Sequence, residues 1–223
     1  AAYTEGHKPA MGTITVTGLG ETEFTSDLIV IEGTVAAEDY DAAEAYHALE
    51  QSREKMVSFL ESKGVKAENI TFNMPYTYKK TRSLYEDGEY RGEQFEGYSI
   101  SQSFTIESKD VDTTESAARE LPSLIAEGIN ISVRNPMYYY TGLEDVKLSL
   151  LSAAAADARD RAMNIAQSSQ SELGELKLSR AGVFQITAAT GDEEFSAGGS
   201  FNLSSREKKA RVTVRSEFYI KEK

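Results

Sequence analysis

Hydrophobic and polar positions along this chain follow patterns that predict both strands and helices. In the clearest strand, near the end of the chain, apolar side chains lie on one face and polar ones on the other; the apolar ones are Val212, Val214, Phe218 and Ile220. Helical spacing predicts one helix over residues 38–63 and another over 111–127, which Pro122 should interrupt. A third, alanine-rich helix is predicted over residues 143–166, with side chains small enough to lie close against a sheet.

Shorter patterns complete the secondary structure. Further strands are predicted at residues 13–17, 27–35, 69–78, 98–107, 129–133 and within 176–189, with a loop from 190 to about 205. Gly18-Leu19-Gly20 is expected to end the first strand, and Asp87-Gly88 is expected at the tip of a long hairpin. The order β-β-α-β-β-α-β-α-β-β predicts an α+β fold, with antiparallel or mixed sheets and helices packed on one face.

Length and composition suggest how the chain is organised. The 223 residues, 40% hydrophobic and 27% charged, are typical of a globular protein. We expect a flexible tail over residues 1–11 and one domain over 12–223, divided into lobes at about 12–108 and 109–223. The sequence begins at Ala1 with neither an initiator Met nor a signal-peptide core, so we expect that a leader or anchor has been removed.

Charge and residue usage exclude several classes of partner and site. A net charge of −12 disfavours nucleic acid and anionic membrane surfaces, and the densest basic cluster is small: Arg206, Lys208, Lys209 and Arg211. No apolar run approaches the roughly 18 residues of a membrane span, so no transmembrane segment is expected. The absence of cysteine excludes a thiol nucleophile, a disulfide framework and a cysteine zinc site.

Candidate catalytic and metal-binding groups are sparse. Asp157 and Asp160 share a face of the alanine-rich helix and could form an acid/base pair, although the neighbouring arginines favour solvated ion pairs. His7 and His47 each lack a second histidine at metal-ligand spacing. We therefore predict no catalytic residue, no metal and no cofactor, and a protein that is not an enzyme.

Two loop segments also lack the residue pattern of a known binding motif. Gly18-x-Gly20 lacks the third glycine and the immediate helix of a dinucleotide loop, which favours a simple turn. The acidic segment 191–194 lacks the alternating oxygen ligands of a calcium loop, which favours a charged surface loop.

Tyrosine-rich sequence provides the strongest functional candidate. In the predicted hairpin, aromatic residues are interleaved with basic ones. The aromatic residues are Tyr76, Tyr78, Tyr85, Tyr90, Phe95 and Tyr98. Tyrosine combines apolar contact area with a polar tip, so these residues are candidates for an interface or a ligand site, or else cover the sheet of the hairpin itself. Weaker candidates are Tyr138, Tyr139, Tyr140 and Phe201.

Four stretches together resemble the SIMPL-domain family of bacterial cell-envelope proteins. The similarity is carried by Ile14-Thr15-Val16-Thr17-Gly18-Leu19-Gly20-Glu21, by Gly97-Tyr98-Ser99-Ile100 with Phe104-Thr105-Ile106, by Ala126-Glu127-Gly128-Ile129-Asn130, and by the helix from Ala155 to Ala166 with Leu173-Gly174. The resemblance covers nearly all of residues 12–221. It implies export to the periplasm or tethering to a membrane, a link to oxidative-stress tolerance or immunogenicity, and in some members ring-like or channel-like homo-oligomers.

These observations support two functional hypotheses. The first is a non-enzymatic exported envelope protein that forms a homo-oligomer and contributes to stress tolerance. The second is a binding module that holds a small molecule or an envelope glycan or peptide, either on the tyrosine-rich hairpin or in the groove between the predicted lobes. A third, less favoured hypothesis is a hydrolase that uses Asp157 with Asp160.

Overall fold

The computed structural model describes residues 12–191 and 195–221. In this part of the chain it has three α-helices and two β-sheets, which confirms the predicted α+β fold. In chain order the elements are β1 (Thr13–Thr25), β2 (Leu28–Asp39), α1 (Ala42–Ser62), β3 (Ile70–Phe72), β4 (Tyr76–Glu86), β5 (Glu89–Ser108), α2 (Val111–Glu120), β6 (Asn130–Val133), β7 (Met137–Tyr139), α3 (Leu143–Ser168), β8 (Glu172–Ala181), β9 (Gln185–Ala188), β10 (Ser200–Phe201) and β11 (Glu207–Lys221).

The chain divides into two compact units that do not follow each other in sequence. The first unit combines the segment that ends at Thr25 with the segment that begins at Gly142, and the second unit is Ser26–Thr141. The first unit is held together by β1, which pairs antiparallel with β11 along its whole length. Residue 108, near which the sequence predicted a boundary between lobes, lies inside the second unit. Pairing between strands so far apart in sequence leaves no local signal from which this division could be predicted.

The second unit is a six-stranded sheet with helices on its buried face. Its main path is β3-β5-β2-β6, with β4 also paired to β5 and β7 to β2. Alternate side chains of β2, such as Ile29 and Ile31, are fully buried in one core with Leu49, Met56 and Leu60 of α1. Burying each such side chain contributes about 1.5–3 kcal/mol.

The helix boundaries of this unit depend on single residues. The helix predicted from residue 38 begins later, because β2 continues to Asp39 and Asp41 then caps α1 by accepting hydrogen bonds from the N–H groups of Ala43 and Glu44. Pro122 interrupts the next helix as predicted: α2 ends at Glu120 and a 3-10 helix covers Leu121–Glu127.

The first unit is a five-stranded mixed sheet covered by α3. Its path is β1-β11-β9-β10, with β8 also on β11, and the β9–β10 pair is parallel. One stripe of α3 is buried against β1 and β11, and it is made of Leu150 and four alanines: Ala154, Ala158, Ala162 and Ala166. Small side chains bring the helix axis close to the sheet, as the alanine-rich sequence predicted.

Gly18 and Gly20 have a different role from the one predicted. They do not end the first strand, since β1 continues to Thr25. A Cβ atom on Gly18 would lie 2.1 Å from the carbonyl oxygen of Ala154, and one on Gly20 would lie 2.3 Å from that of Leu150. The two glycines therefore let the backbone of α3 lie directly on β1.

Strand β11 confirms the predicted alternation and corrects one feature of the basic cluster. Val212, Val214 and Phe218 are buried. Lys208, however, is fully buried, and its Nζ donates hydrogen bonds to the carbonyl oxygens of Asn202 and Ser205, the latter at 2.6 Å. Lys208 thus holds the preceding loop and does not contribute to a basic surface.

Candidate functional site

A long β-hairpin of the second unit extends past the rest of its sheet. From Thr81 to Phe95, the strands β4 and β5 pair only with each other among the described residues, whereas from Tyr98 onward β5 also pairs with β2. The stretch from 81 to 86 spans about 20 Å at the usual rise of a strand. We call residues 79–95 the aromatic arm.

The geometry of the turn explains why this sequence forms a hairpin, and an ion pair at the base of the arm joins the hairpin to β2. Asp87 and Gly88 both have positive φ, 52° and 82°, which is the geometry of a two-residue turn that matches strand twist. Nζ of Lys80 donates a hydrogen bond to Oε2 of Glu38 in β2 at 2.7 Å, and this bond raises the pKa of Lys80. The predicted hairpin and its tip are thus confirmed.

Aromatic side chains along the arm pack in pairs and remain open to solvent. Near the tip, Tyr85 and Tyr90 face each other across the strands with ring centroids 5.9 Å apart, and they are 67% and 58% exposed. At the base, the Phe95 ring lies 5.3 Å from that of Tyr98 and 6.3 Å from that of Tyr40. The rings therefore cover one another only in part.

Tyr76 and Tyr78 extend this aromatic surface to the other face of the sheet. They pair with Ser101 and Ser99 of β5, which alternate with the buried Ile100, so they lie opposite the helix-covered face. Their ring centroids are 6.1 Å apart, and both side chains are exposed. Together, the exposed aromatic groups reach from the base of the hairpin to its tip.

Sequence reasoning missed one member of this surface. Tyr40 follows β2 directly, 72% exposed, and packs edge-on against Phe95. No local pattern connects two residues so far apart in sequence, and only the register between β2 and β5 brings them together.

The three consecutive tyrosines do not join the arm. Tyr138 is 5% exposed and belongs to the core of the second unit, so it is not available to a partner. Tyr139 is half-buried in β7, where its carbonyl oxygen accepts a hydrogen bond from the N–H of Asp27, and Tyr140 is also half-buried. Phe201 is exposed on β10 of the first unit.

In the carboxylate pair proposed for hydrolysis, Asp157 has a structural role. One oxygen of Asp157 accepts a hydrogen bond from the N–H of Leu19 at 2.7 Å and another from Nε of Arg161 at 2.8 Å. The bond from Leu19, together with Arg161, lowers the pKa of Asp157. Asp157 therefore fastens α3 to the edge of β1, and an ionised, doubly hydrogen-bonded carboxylate is a poor proton donor.

Metal-ligating groups do not converge in the described residues. Across 12–191 and 195–221, no group of three or more His, Asp or Glu side chains could hold a metal ion. His47 is exposed beside Glu50, with 3.6 Å between Nδ1 and the carboxylate. His7, residues 192–194 of the acidic loop and the predicted tail 1–11 lie outside the described residues.

The fold and its aromatic arm define an α+β protein with a surface suited to contact. A scan against protein families matches residues 14–218 to SIMPL, described as "Protein of unknown function (DUF541)". The chain therefore belongs to the SIMPL family, as its sequence resemblance indicated. A search of curated proteins finds no match. None of the described helices is both long and apolar enough to cross a membrane.

Proposed function

We propose that this chain is a non-enzymatic protein of the cell envelope that is exported, self-associates through its aromatic arm and contributes to stress tolerance. Export and the link to stress rest on the family resemblance described above. Self-association rests on one observation: a two-stranded ribbon that carries exposed aromatic rings over its whole length. Isolated two-stranded hairpins are only marginally stable in water, so a ribbon of this kind gains from contact with another surface.

A second copy of the chain is the partner that the charge distribution favours. The whole chain carries a net charge of −12, so two copies repel each other electrostatically over most of their surface. Residues 79–95 contain four basic and four acidic side chains, so the arm itself is neutral. Two arms can therefore approach each other with little repulsion and with both signs of charge available for pairing.

The exposed rings are large enough to stabilise such a contact. Tyr85 and Tyr90 each leave on the order of 100 Å² accessible to solvent, and burying that area is worth about 2.5 kcal/mol per ring. An interface needs only a few anchors of this size. The unpaired strand edges of the arm add backbone hydrogen bonds if two arms join as one sheet.

Size-exclusion chromatography with light scattering tests the proposal. We expect the wild-type chain to form oligomers at tens of micromolar and the double variant Tyr85→Ser, Tyr90→Ser to shift towards the monomer. Tyr46→Ser is the matched control, because Tyr46 is 42% exposed on α1 and lies outside the arm. A strictly monomeric wild type, or a double variant that assembles as the wild type does, would contradict self-association through the arm.

Fractionation of cells that produce the protein natively tests the location. The proposal predicts that the protein is recovered with the envelope fraction, and recovery with the cytosolic fraction would contradict it. Survival of a deletion strain under peroxide, compared with its complemented control, tests the contribution to stress tolerance. Equal survival of the two strains would contradict that contribution.

A further inference from the structure

A second surface, in the first unit, has the chemistry of a binding site. A cleft of about 620 Å³ lies beside β1 and β11, and its volume is within the usual range for small-molecule sites. Its walls include Leu19, Val183 and Phe195, with the hydroxyl groups of Thr17, Thr213 and Ser196 at intervals. The cleft is thus largely apolar with a few polar groups, which is how ligand sites are generally lined.

Two arginines from different elements line this one cleft. Arg161 comes from α3 and Arg211 from β11. Each is oriented by one carboxylate: Nε of Arg161 donates to Asp157 at 2.8 Å, and Nε of Arg211 lies 3.0 Å from Glu21. Within the described residues, no group accepts a hydrogen bond from the terminal nitrogens of either guanidinium. Both arginines therefore keep donors for a further anion.

The rim of the cleft is held in place by its own hydrogen bonds. The Gln185 side chain donates to the carbonyl oxygen of Ser196 at 2.6 Å, and its Oε1 accepts from the Ser196 N–H at 3.2 Å. This two-point contact fixes Ser196 next to Phe195, whose ring centroid lies 5.0 Å from the Arg211 guanidinium. An aromatic wall and a cationic group are thus positioned together before any ligand arrives.

We propose that this cleft binds a small organic anion, with a carboxylate or phosphate group on Arg161 and Arg211 and an apolar body against Leu19, Val183 and Phe195. Guanidinium groups form paired hydrogen bonds with carboxylate and phosphate oxygens, which suits their free terminal nitrogens. In a chain of net charge −12, such a site selects by local geometry and not by long-range attraction. The site does not depend on assembly through the aromatic arm.

Titrations followed by amide chemical shifts test this proposal with defined probes. The probes are phenylacetate and phenyl phosphate, and 2-phenylethanol is the uncharged control. We expect both anions to shift resonances of residues around the cleft and to bind at least about tenfold more tightly than the alcohol. The anion that binds more tightly shows whether the site prefers a carboxylate or a phosphate group.

Variants distinguish the paired hydrogen bonds of the forked guanidinium group from the effect of its positive charge alone. Arg161→Gln and Arg211→Gln should each weaken binding of the preferred anion about tenfold, and Arg211→Lys should restore only part of the affinity, because lysine keeps the charge but loses the fork. Arg134→Gln is the matched control, since Arg134 is an exposed arginine of the second unit that also lies beside a carboxylate. Equal binding of anions and alcohol, shifts away from the cleft, or unchanged affinity in folded Arg161→Gln and Arg211→Gln would overturn the proposal.

Discussion

Replacing Gly18 with alanine adds a single methyl group at the closest approach between α3 and β1. The new Cβ atom would lie 2.1 Å from the Ala154 carbonyl oxygen and 2.4 Å from the Ala158 nitrogen. Cβ atoms in real proteins essentially never lie within 3.0 Å of a heavy atom of a residue that is not their chain neighbour. Because both neighbours are helix backbone, no side chain can rotate out of the way, and α3 itself must move by about an ångström.

The cost follows from what this displacement disrupts. Inserting a methylene into a packed core forces strained rotamers and backbone shifts that cost about 1–3 kcal/mol. Because the Cβ atom of Gly18→Ala would meet helix backbone directly, we place this substitution at the upper end of that range. Alanine also reduces the freedom of the unfolded chain, which offsets about 0.4–1 kcal/mol. We therefore expect a net loss of about 2 kcal/mol or more in the free energy of unfolding.

Urea unfolding followed by circular dichroism measures this loss. Gly12→Ala is the matched control, because its Cβ atom would meet only Ile220 Cδ1, at an ordinary 3.5 Å, and its stability should stay within about 0.5 kcal/mol of the wild type. If Gly18→Ala unfolded at the same urea concentration as Gly12→Ala, direct packing of α3 on β1 would be refuted.

Three further predictions concern other parts of the molecule. Asp157→Asn should destabilise the protein at neutral pH, and the difference from the wild type should shrink as the pH falls below 3.8, since a carboxylate with a lowered folded-state pKa stabilises only while it is ionised; an equal difference at every pH contradicts this account. Lys208→Met should cost about 1–3 kcal/mol in thermal unfolding, because it removes the hydrogen bonds that the buried Nζ donates to the carbonyl oxygens of Asn202 and Ser205; an unchanged melting temperature contradicts it. Gly88→Ala should accelerate proteolysis of the arm while Gly88→Asn does not, since asparagine tolerates positive φ; equal cleavage of the two contradicts the turn geometry.

Local patterns were sufficient for the elements whose structure depends on neighbouring residues. The alternation in β11, the interruption at Pro122 and the tip at Asp87-Gly88 each follow from residues a few positions apart. Gly18 and Gly20 were misinterpreted because two close glycines are typical of a turn, and only the position of α3 reveals their packing role.

The candidate sites also differ in whether they depend on local sequence or on contacts between distant segments. The aromatic residues of the arm could be located from sequence, because the hairpin that carries them is local, but only the structure shows that they are exposed. Tyr138 was not distinguished from its neighbours, since burial depends on which face of β7 meets the core. The cleft in the first unit was missed because Arg161, Phe195 and Arg211 come from three separate segments that only the topology brings together.

Hydrogen exchange of the aromatic arm at two protein concentrations tests the central claim most directly. If copies of the chain join through this hairpin, amides of residues 79–95 will exchange slowly in concentrated solution and faster after dilution, while amides of α1 will keep the same rate. Exchange in the arm that does not depend on concentration, in a sample that still contains oligomers, would show that the chain assembles through another surface.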